Sequence, residues 1–311
     1  MKTLTQGWQW FLRIVERGSI SAAARDLDQT PAALSMSLKQ LEGELGVRLF
    51  LRTTRRLSLT AEGAIWYRAV QAAEHALLSG REALMGERGK LSGPLHIASS
   101  TDFGRQYVVD WVERFCAQHP AIVPTVSLSD RVDDVIAEGI DIAVRFGEPK
   151  ESNAIVLPLC KNARRVLVAS PAYWEKHGRP THPKDLEGRA CLVFSVRDTP
   201  YVNWRFCQGE HVETVTVNVA RASNQSAVVS EWARRGLGPM YRSVLDVIAD
   251  LTIGSLQTAL DDWQGEVVPI NLFRHGGHRQ SPRVQAFASH ARQEMEQLLR
   301  SISIQTSFKL E

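Results

Sequence analysis

The chain has 311 residues, 44% of them hydrophobic and 23% charged, which is ordinary for a globular protein long enough for two or three domains. No apolar run approaches the roughly 18 residues of a membrane span, and the opening MKTLTQGWQWF lacks the pattern of a secretory signal. Cys116, Cys160, Cys191 and Cys207 are scattered and form no C-x-x-C pair, so reduced thiols and a cytoplasmic location are expected. The net charge of +3 is unevenly placed: residues 1–60 carry nine Lys/Arg against five Asp/Glu, a basic segment suited to a polyanion partner.

Leu4, Trp8, Phe11, Leu12 and Val15 fall at helical spacing and predict a first amphipathic helix ending at Gly18. Ile20, Ala23, Ala24 and Leu27 predict a short second helix, with Asp28-Gln29 as the turn. Thr30 is then a good N-cap and Pro31 occupies the first helical position, where its missing N–H costs nothing. Leu34, Leu38, Leu41 and Leu45 form the buried stripe of a third helix stopped by Gly46. "VRLFLRTTRRLSLT" predicts two short strands around Thr53-Thr54, flanked by Arg52, Arg55 and Arg56. Three helices and a basic hairpin make a winged helix-turn-helix over residues 1–60.

Residues 61–88 contain no proline and favour one long helix. Ile65, Ala69, Ala72, Ala76, Ser79, Ala83 and Gly86 make a heptad-type seam of mostly small residues, suited to packing against another helix, either of a second copy or of the same chain. Residues 89–93 read as a hinge.

After Pro94 the pattern alternates. "LHIASS", "VPTVSLS", "DIAVRFG", "RRVLVAS", "ACLVFSV" and "ETVTVNVA" read as strands; "FGRQYVVDWVERFCAQHP", "VDDVIAEG" and "SAVVSEWARRGLG" read as helices. This alternation predicts an α/β body with mainly parallel sheets. A last helix begins at Ser281-Pro282 and buries Val284, Phe287, Ala291, Met295 and Leu298.

The strings "GSISAAARDL", "TPAALS" and "LKQLEGELGVRLFLRTTRRLSLTAEG", with Phe11 and Val15 before them and "DIAVRFG" and "VLVASPAYWEKHG" later, resemble the LysR-type transcriptional regulators along essentially the whole chain. The resemblance implies a body of two Rossmann-like subdomains similar to periplasmic solute-binding proteins. Residues 94–165 and 269–302 would form one and residues 166–268 the other, with crossings near Arg164–Val166 and Val268–Asn271. It also implies binding to double-stranded operator DNA, self-association as a dimer or tetramer, contact with RNA polymerase, and response to a small effector between the subdomains.

In that architecture the third helix enters the major groove by its N-terminal part. Thr30 and Pro31 sit at its leading end, Ala32, Met36 and Lys39 point outward, and Ser35 lies on the flank. Many relatives carry Gln near Pro31 and Arg near Met36. Apolar atoms here replace hydrogen-bonding readers, which predicts reliance on thymine methyl contacts and DNA shape. Arg52, Arg55 and Arg56 are candidates for phosphate or minor-groove contacts, the alternative being a solvated charge run.

"ASSTDFG" and "ASNQSAVV" each join a strand to a helix. Ser99, Ser100 and Thr101 on one side, and Asn224 and Gln225 near the cap residue Ser223 on the other, offer hydroxyls and amides at helix N-termini. Such ends attract anions, so a small anionic or polar effector is expected; plain helix capping is the alternative. Arg145 and Gly147 end a strand near the same mouth, and Arg145 is suited either to an anion or to Asp130 or Asp141. Phe103 and Trp204 are candidate pocket walls and Asn203 a further polar contact.

An enzyme is the second class to weigh, but no G-x-S-x-G, H-E-x-x-H, P-loop or G-x-G-x-x-G occurs. His275 and His278 read as loop residues because "RHGGHRQ" places two glycines between them, and no metal or cofactor is expected. A redox sensor built on Cys191 and Cys207 requires the fold to bring them together. A solute-binding protein with an accessory domain fits poorly with the basic first sixty residues.

Overall fold

The computed structural model describes residues 2–52, 57–85, 91–130, 140–147, 154–196, 199–275 and 281–305. Two compact units divide the chain near Met85.

The first unit opens with α1 (Lys2–Arg17), α2 (Ile20–Asp26) and α3 (Pro31–Leu45). Ser19 caps α2 by accepting from the Ala22 amide at 3.4 Å, and Gly46 ends α3 in the left-handed conformation at φ +70°. Ala23 and Ala24 are fully buried, and these small side chains let α2 lie close to its neighbours. Around them pack Phe11, Ile14, Leu34, Leu41, Leu49 and Phe50, with the Phe11 and Phe50 rings 5.4 Å apart. Leu38 and Leu45, the other members of the expected stripe, are half-buried. β1 (Phe50–Arg52) pairs antiparallel with β2 (Leu57–Leu59) as the wing.

α4 (Ala61–Met85) starts under tight constraint. The Thr60 hydroxyl donates to the Arg48 carbonyl at 2.7 Å and accepts from the Gly63 amide at 2.8 Å, tying the wing to the helix start. Trp66, Tyr67 and Val70 face the unit's own core. Ile65 is 61% and Leu77 65% exposed, and Ala69 and Ala72 of the expected seam are exposed with them. The side chains of Ala76, Ser79 and Ala83, and all of Gly86, lie outside the described residues.

The second unit holds two mixed sheets and a small third one. In chain order its strands are β3 (Ser92–Ser99), β4 (Ala121–Leu128), β5 (Ile142–Phe146), β6 (Ala154–Cys160), β7 (Arg165–Ala169), β8 (Ala190–Val196), β9 (Thr199–Pro200), β10 (Asn203–Gln208), β11 (His211–Thr216), β12 (Asn218–Ser223), β13 (Met240–Ser243), β14 (Gln257–Ala259), β15 (Gln264–Gly265) and β16 (Ile270–His275). The first sheet runs β4-β3-β5-β16-β6, the second β12-β8-β13-β7-β14 with β9 beside β8, and the third β11-β10-β15.

The expectation of mainly parallel sheets needs correction. β3 pairs parallel with β4 and β5, but β16 pairs antiparallel with both β5 and β6 because it returns from the other sheet. In the second sheet β8 is parallel to β12 and β13, while β7 runs antiparallel to β13 and β14. "ETVTVNVA" is not one strand: buried Val217 donates to the Val202 carbonyl at 3.0 Å, and the chain there leaves the small sheet for the second. Ser92 and Gly93 of the expected hinge are strand residues paired with Ala121 and Ile122. His275 is likewise in a strand rather than a loop, paired with Ala154. His278 and the expected "VDDVIAEG" helix (residues 132–139) lie outside the described residues.

Helices cover these sheets. α5 (Thr101–Phe103) runs through a π turn (Gly104–Val108) into α6 (Val109–Gln118); α7 (Pro171–His177), α8 (Ser226–Arg234), α9 (Val244–Ile253) and α10 (Pro282–Gln305) follow. Arg114 on α6 grips Glu294 on α10 with bonds of 2.8 and 2.6 Å, and buried Arg283 donates to the Pro94 carbonyl at 2.7 Å. α9 serves both layers: Val244, Leu245 and Ile248 join the first sheet's core, whereas Val247 packs with Val168, Leu192 and Met240 of the second. That sharing brings polar groups of the two subdomains together inside the body.

Candidate functional site

The third helix presents the face that its leucine spacing requires. Thr30 has extended backbone and accepts from the Ala33 amide at 3.2 Å, so α3 starts cleanly at Pro31. Pro31, Ala32 and Lys39 are exposed, Ser35 is half-buried, and Met36 is 75% exposed. Arg52 belongs to β1, but its side chain, like Arg55 and Arg56, lies outside the described residues.

Two helix starts of the second unit, at Thr101 and Ser226, converge on one residue. Asp130, just beyond β4, accepts from the Thr101 amide through Oδ1 and from the Ser226 amide through Oδ2, both at 2.8 Å. A single carboxylate therefore joins the start of α5 in the first subdomain to the start of α8 in the second. Burial pushes its acidity toward the neutral form, but the Ser226 and Thr101 amides and the Arg242 charge outweigh that and hold its pKa below the ordinary range.

Beside this bridge lies a buried charged cluster. Arg242 on β13 donates to Asp246 on α9 at 2.7 Å and stands 3.5 Å from Asp102 on α5, which also accepts from the Ser230 hydroxyl at 3.3 Å. The Arg242 guanidinium lies 5.3 Å over the Phe194 ring. Gln106 adds a bond of 3.1 Å to the Asp246 carbonyl. The Ser100 hydroxyl, Arg242 Nε and Asp246 Oδ1 are buried without a hydrogen-bond partner.

Several expected contacts resolve differently. Ser99 is fully buried and donates to the Val144 carbonyl at 3.2 Å, because it faces into the sheet rather than the mouth. Phe103 is core, packed against Tyr107, Trp111 and Phe146 with centroids 5.0–5.7 Å away. Trp204 is also core: its ring packs against Tyr241 with centroids 5.3 Å apart, and it donates to the Tyr201 carbonyl at 2.9 Å. Asn203 is exposed on the small sheet and accepts from the Thr216 hydroxyl at 2.9 Å. Arg145 donates to the Ser129 carbonyl, one residue before the bridge, while Asp141 accepts from the His96 amide at 2.8 Å. Gly147, at φ +98°, is tied by its amide to Pro269 and by its carbonyl to Asn271, both at 2.8 Å. Asn224 is exposed, and Gln225 is the N-cap of α8 without a side-chain cap bond; the Ser223 hydroxyl accepts from the Gln225 amide at 3.1 Å instead.

Two matches cover nearly all of this architecture. Residues 6–64 fit the description "Bacterial regulatory helix-turn-helix protein, lysR family", and residues 88–296 fit "LysR substrate binding domain". The chain belongs to the LysR family of transcriptional regulators. This LysR-type regulator is similar to the HTH-type transcriptional regulator DmlR of Escherichia coli K12, with 32% identity across 81% of this chain and 82% of that protein. To the transcriptional activator TtdR of the same strain it is 31% identical, across 84% of each chain. Among solved structures, the CrgA regulator of Neisseria meningitidis gives a TM-score of 0.58 at 25% identity, covering 94% of this chain and 98% of that one. The full-length Vibrio cholerae virulence activator AphB shares the fold with a TM-score of 0.59 at 23% identity, over 92% and 97%. The chain is thus a DNA-binding regulator with an effector-binding domain, not an enzyme, and among its described residues no helix is long and apolar enough to cross a membrane.

In this LysR-type body the residues missed from sequence are Asp102, Ser226, Ser230, Arg242 and Asp246. A signal existed for two of them: "MYRSVLD" sets Arg242 and Asp246 four residues apart inside an otherwise uncharged, mostly apolar run, which is unusual for unpaired charges. Burial, followed by the Asp102 and Asp130 charges that offset Arg242 and Arg165, raises the Asp246 pKa from 3.8 to about 6. A carboxyl that binds its proton more tightly when folded stabilises the fold fully below its unfolded pKa, and this contribution is lost as pH rises through about 6. Asp246→Asn removes that dependence. Its melting midpoint relative to the parent is expected to rise as pH increases from about 4 to about 7, and a flat or falling difference in a thermal-melt series contradicts the assignment.

Proposed function

We propose that this regulator reads its operator through the apolar leading face of α3 and responds to a small anionic or polar effector held between its two subdomains. The carrying observation is the Asp130 carboxylate, bonded at once to amides of both subdomains. A group of that shape and charge satisfies both helix starts, as backbone N–H groups and the helix dipole favour. Pro31, Ala32 and the exposed Met36 supply methyl and methylene contacts suited to thymine, and the positive charges of Lys39, Arg52, Arg55 and Arg56 suit phosphates. Lys39→Ala is expected to weaken binding across all sequences and lower the slope of log affinity against log salt by about one; an unchanged slope removes Lys39 from the phosphate contacts.

Self-association follows from α4, whose Ile65, Ala69, Ala72 and Leu77 remain exposed on the single chain. Contact with RNA polymerase belongs to the same reading. A redox trigger at Cys191 fits poorly: burial pushes its thiol up to about 12, whereas reaction needs the thiolate.

The test is selection of genomic fragments by the purified chain, then footprinting with small carboxylates beside their amides and esters. A·T-dominated sequence under α3 and footprints altered by the carboxylates are expected. Preference carried mainly by G·C pairs sinks the reading of the helix, and equal action of the uncharged analogues sinks that of the effector's charge.

A further inference from the structure

We infer that the Asp130 carboxylate is the chain's own occupant of a carboxylate site between the subdomains, so that an effector carboxylate enters by exchanging with it and Asp130 sets the specificity of the cleft. This rests on the proposed effector site and adds what must leave when the effector arrives.

Three observations carry it. Asp130 uses its two oxygens separately, one on the Thr101 amide and one on the Ser226 amide, each at 2.8 Å. The two amides are thus as close as the ends of one carboxylate permit, and a second anion cannot join them while Asp130 remains. The helix starting at Ser226 is nine residues long, enough for aligned peptide dipoles to favour an anion at its head. Arg242 supplies an independent pointer. It is 6% exposed, its Nε has no hydrogen-bond partner, and its charge already acts on Asp130. A buried guanidinium with an unused N–H, whose charge acts on an amide-bound carboxylate, favours an anion at that carboxylate's place.

Exchange has a consequence for specificity. An entering ligand must replace both bonds that Asp130 makes, so a neutral molecule lacking a carboxylate-like pair of acceptors loses to the intramolecular group. A carboxylate carrying a further hydrogen-bond acceptor placed to meet the unused Arg242 N–H would gain a contact that Asp130 does not make. Intramolecular competition also sets a threshold, because the tethered carboxylate is always present at high effective concentration.

Acetate is the detached aspartate side chain and serves as the probe. In the full-length chain, Asp130→Ala is expected to lower the melting midpoint by roughly 4 °C or more. It should also speed amide exchange in segments containing Thr101 and Ser226. Acetate at about 0.1 M, saturating for a millimolar site, is expected to restore at least half of the midpoint loss and slow both amides. Chloride at equal ionic strength does not, and the parent does not respond. Failure of acetate to exceed chloride, or equal stabilisation of the parent, overturns the inference.

Should the alanine variant not fold, Asp130→Asn keeps the shape but offers one acceptor oxygen, so exchange at one of the two amides is expected to rise. Unchanged exchange at both overturns the inference. These readouts need no effector. Acetate rescue with no carboxylate acting on the operator footprint leaves the exchange site standing and removes the effector reading; the reverse result does the opposite.

Discussion

Replacing Arg242 by methionine is expected to destabilise the regulatory body by about 3–5 kcal/mol. Asp246, Asp102 and Asp130 all interact with this guanidinium, and Asp246 is buried with one oxygen already unpartnered. Methionine keeps most of the side-chain length and volume, so the loss is electrostatic rather than a cavity. The remaining carboxylates then lack the compensating charge that makes their burial tolerable, and the nearest escape is protonation. Urea unfolding of the variant at neutral pH and near pH 5 separates this cause from poor packing: acid should recover a substantial part of the loss. Pairing Arg242→Met with Asp246→Leu should also recover much of it, since a buried ion pair is often replaceable by apolar groups while half of one is not. A loss below about 1 kcal/mol at neutral pH, or one insensitive to acid, contradicts the role assigned to Arg242.

A comparable effect in the DNA-binding unit is expected at Gly63. A Cβ there would overlap the Leu49 carbonyl oxygen, with the carbonyl carbon at 2.9 Å and a Leu59 methyl at 3.1 Å. Leu49 is pinned in turn, because its amide donates to the Glu42 carboxylate at 2.7 Å and its carbonyl accepts from the Thr60 amide at 3.0 Å. Backbone held at both ends cannot yield cheaply, so Gly63→Ala should cost about 3 kcal/mol or more, the upper end of overpacking. The wing would separate from the start of α4, and operator affinity should fall at least about tenfold. The regulatory body has its own core and its melting should be unaffected. Gly63→Ala binding DNA as the parent does would show that the helix start moves freely.

The contrast between these two residues shows where sequence reading ends. Gly63 sits in "LTAEG", a string whose resemblance placed the wing and the helix start, and its neighbour Thr60 acts within three residues of it. Local chemistry of that range is legible: Thr30 before Pro31, Gly46 after the last leucine, and outward Met36 against inward Leu34 follow from propensity and period. The expected walls Phe103 and Trp204 failed for the opposite reason. Both belong to regular elements whose faces are chosen by packing partners far along the chain, Phe146 for one and Tyr241 for the other. Ser99 failed in the same way, turned inward by the strand that carries Val144. The antiparallel return of β16 was likewise invisible to a pattern of alternating strands and helices, because strand direction is set by where the chain crosses between subdomains.

By itself the sequence determined the family, the helix-turn-helix with Pro31, Ala32 and Met36 facing outward, and the single long helix that follows the wing. Those features depend on residues within one or two helical turns of each other. Tertiary structure alone decided that Asp130 closes on both helix starts and that Arg242 meets Asp102, because these contacts join residues 29, 96 and 140 positions apart. Charge acts through space rather than along the chain. An aspartate therefore shows its role only when folding has placed amides and a guanidinium around it.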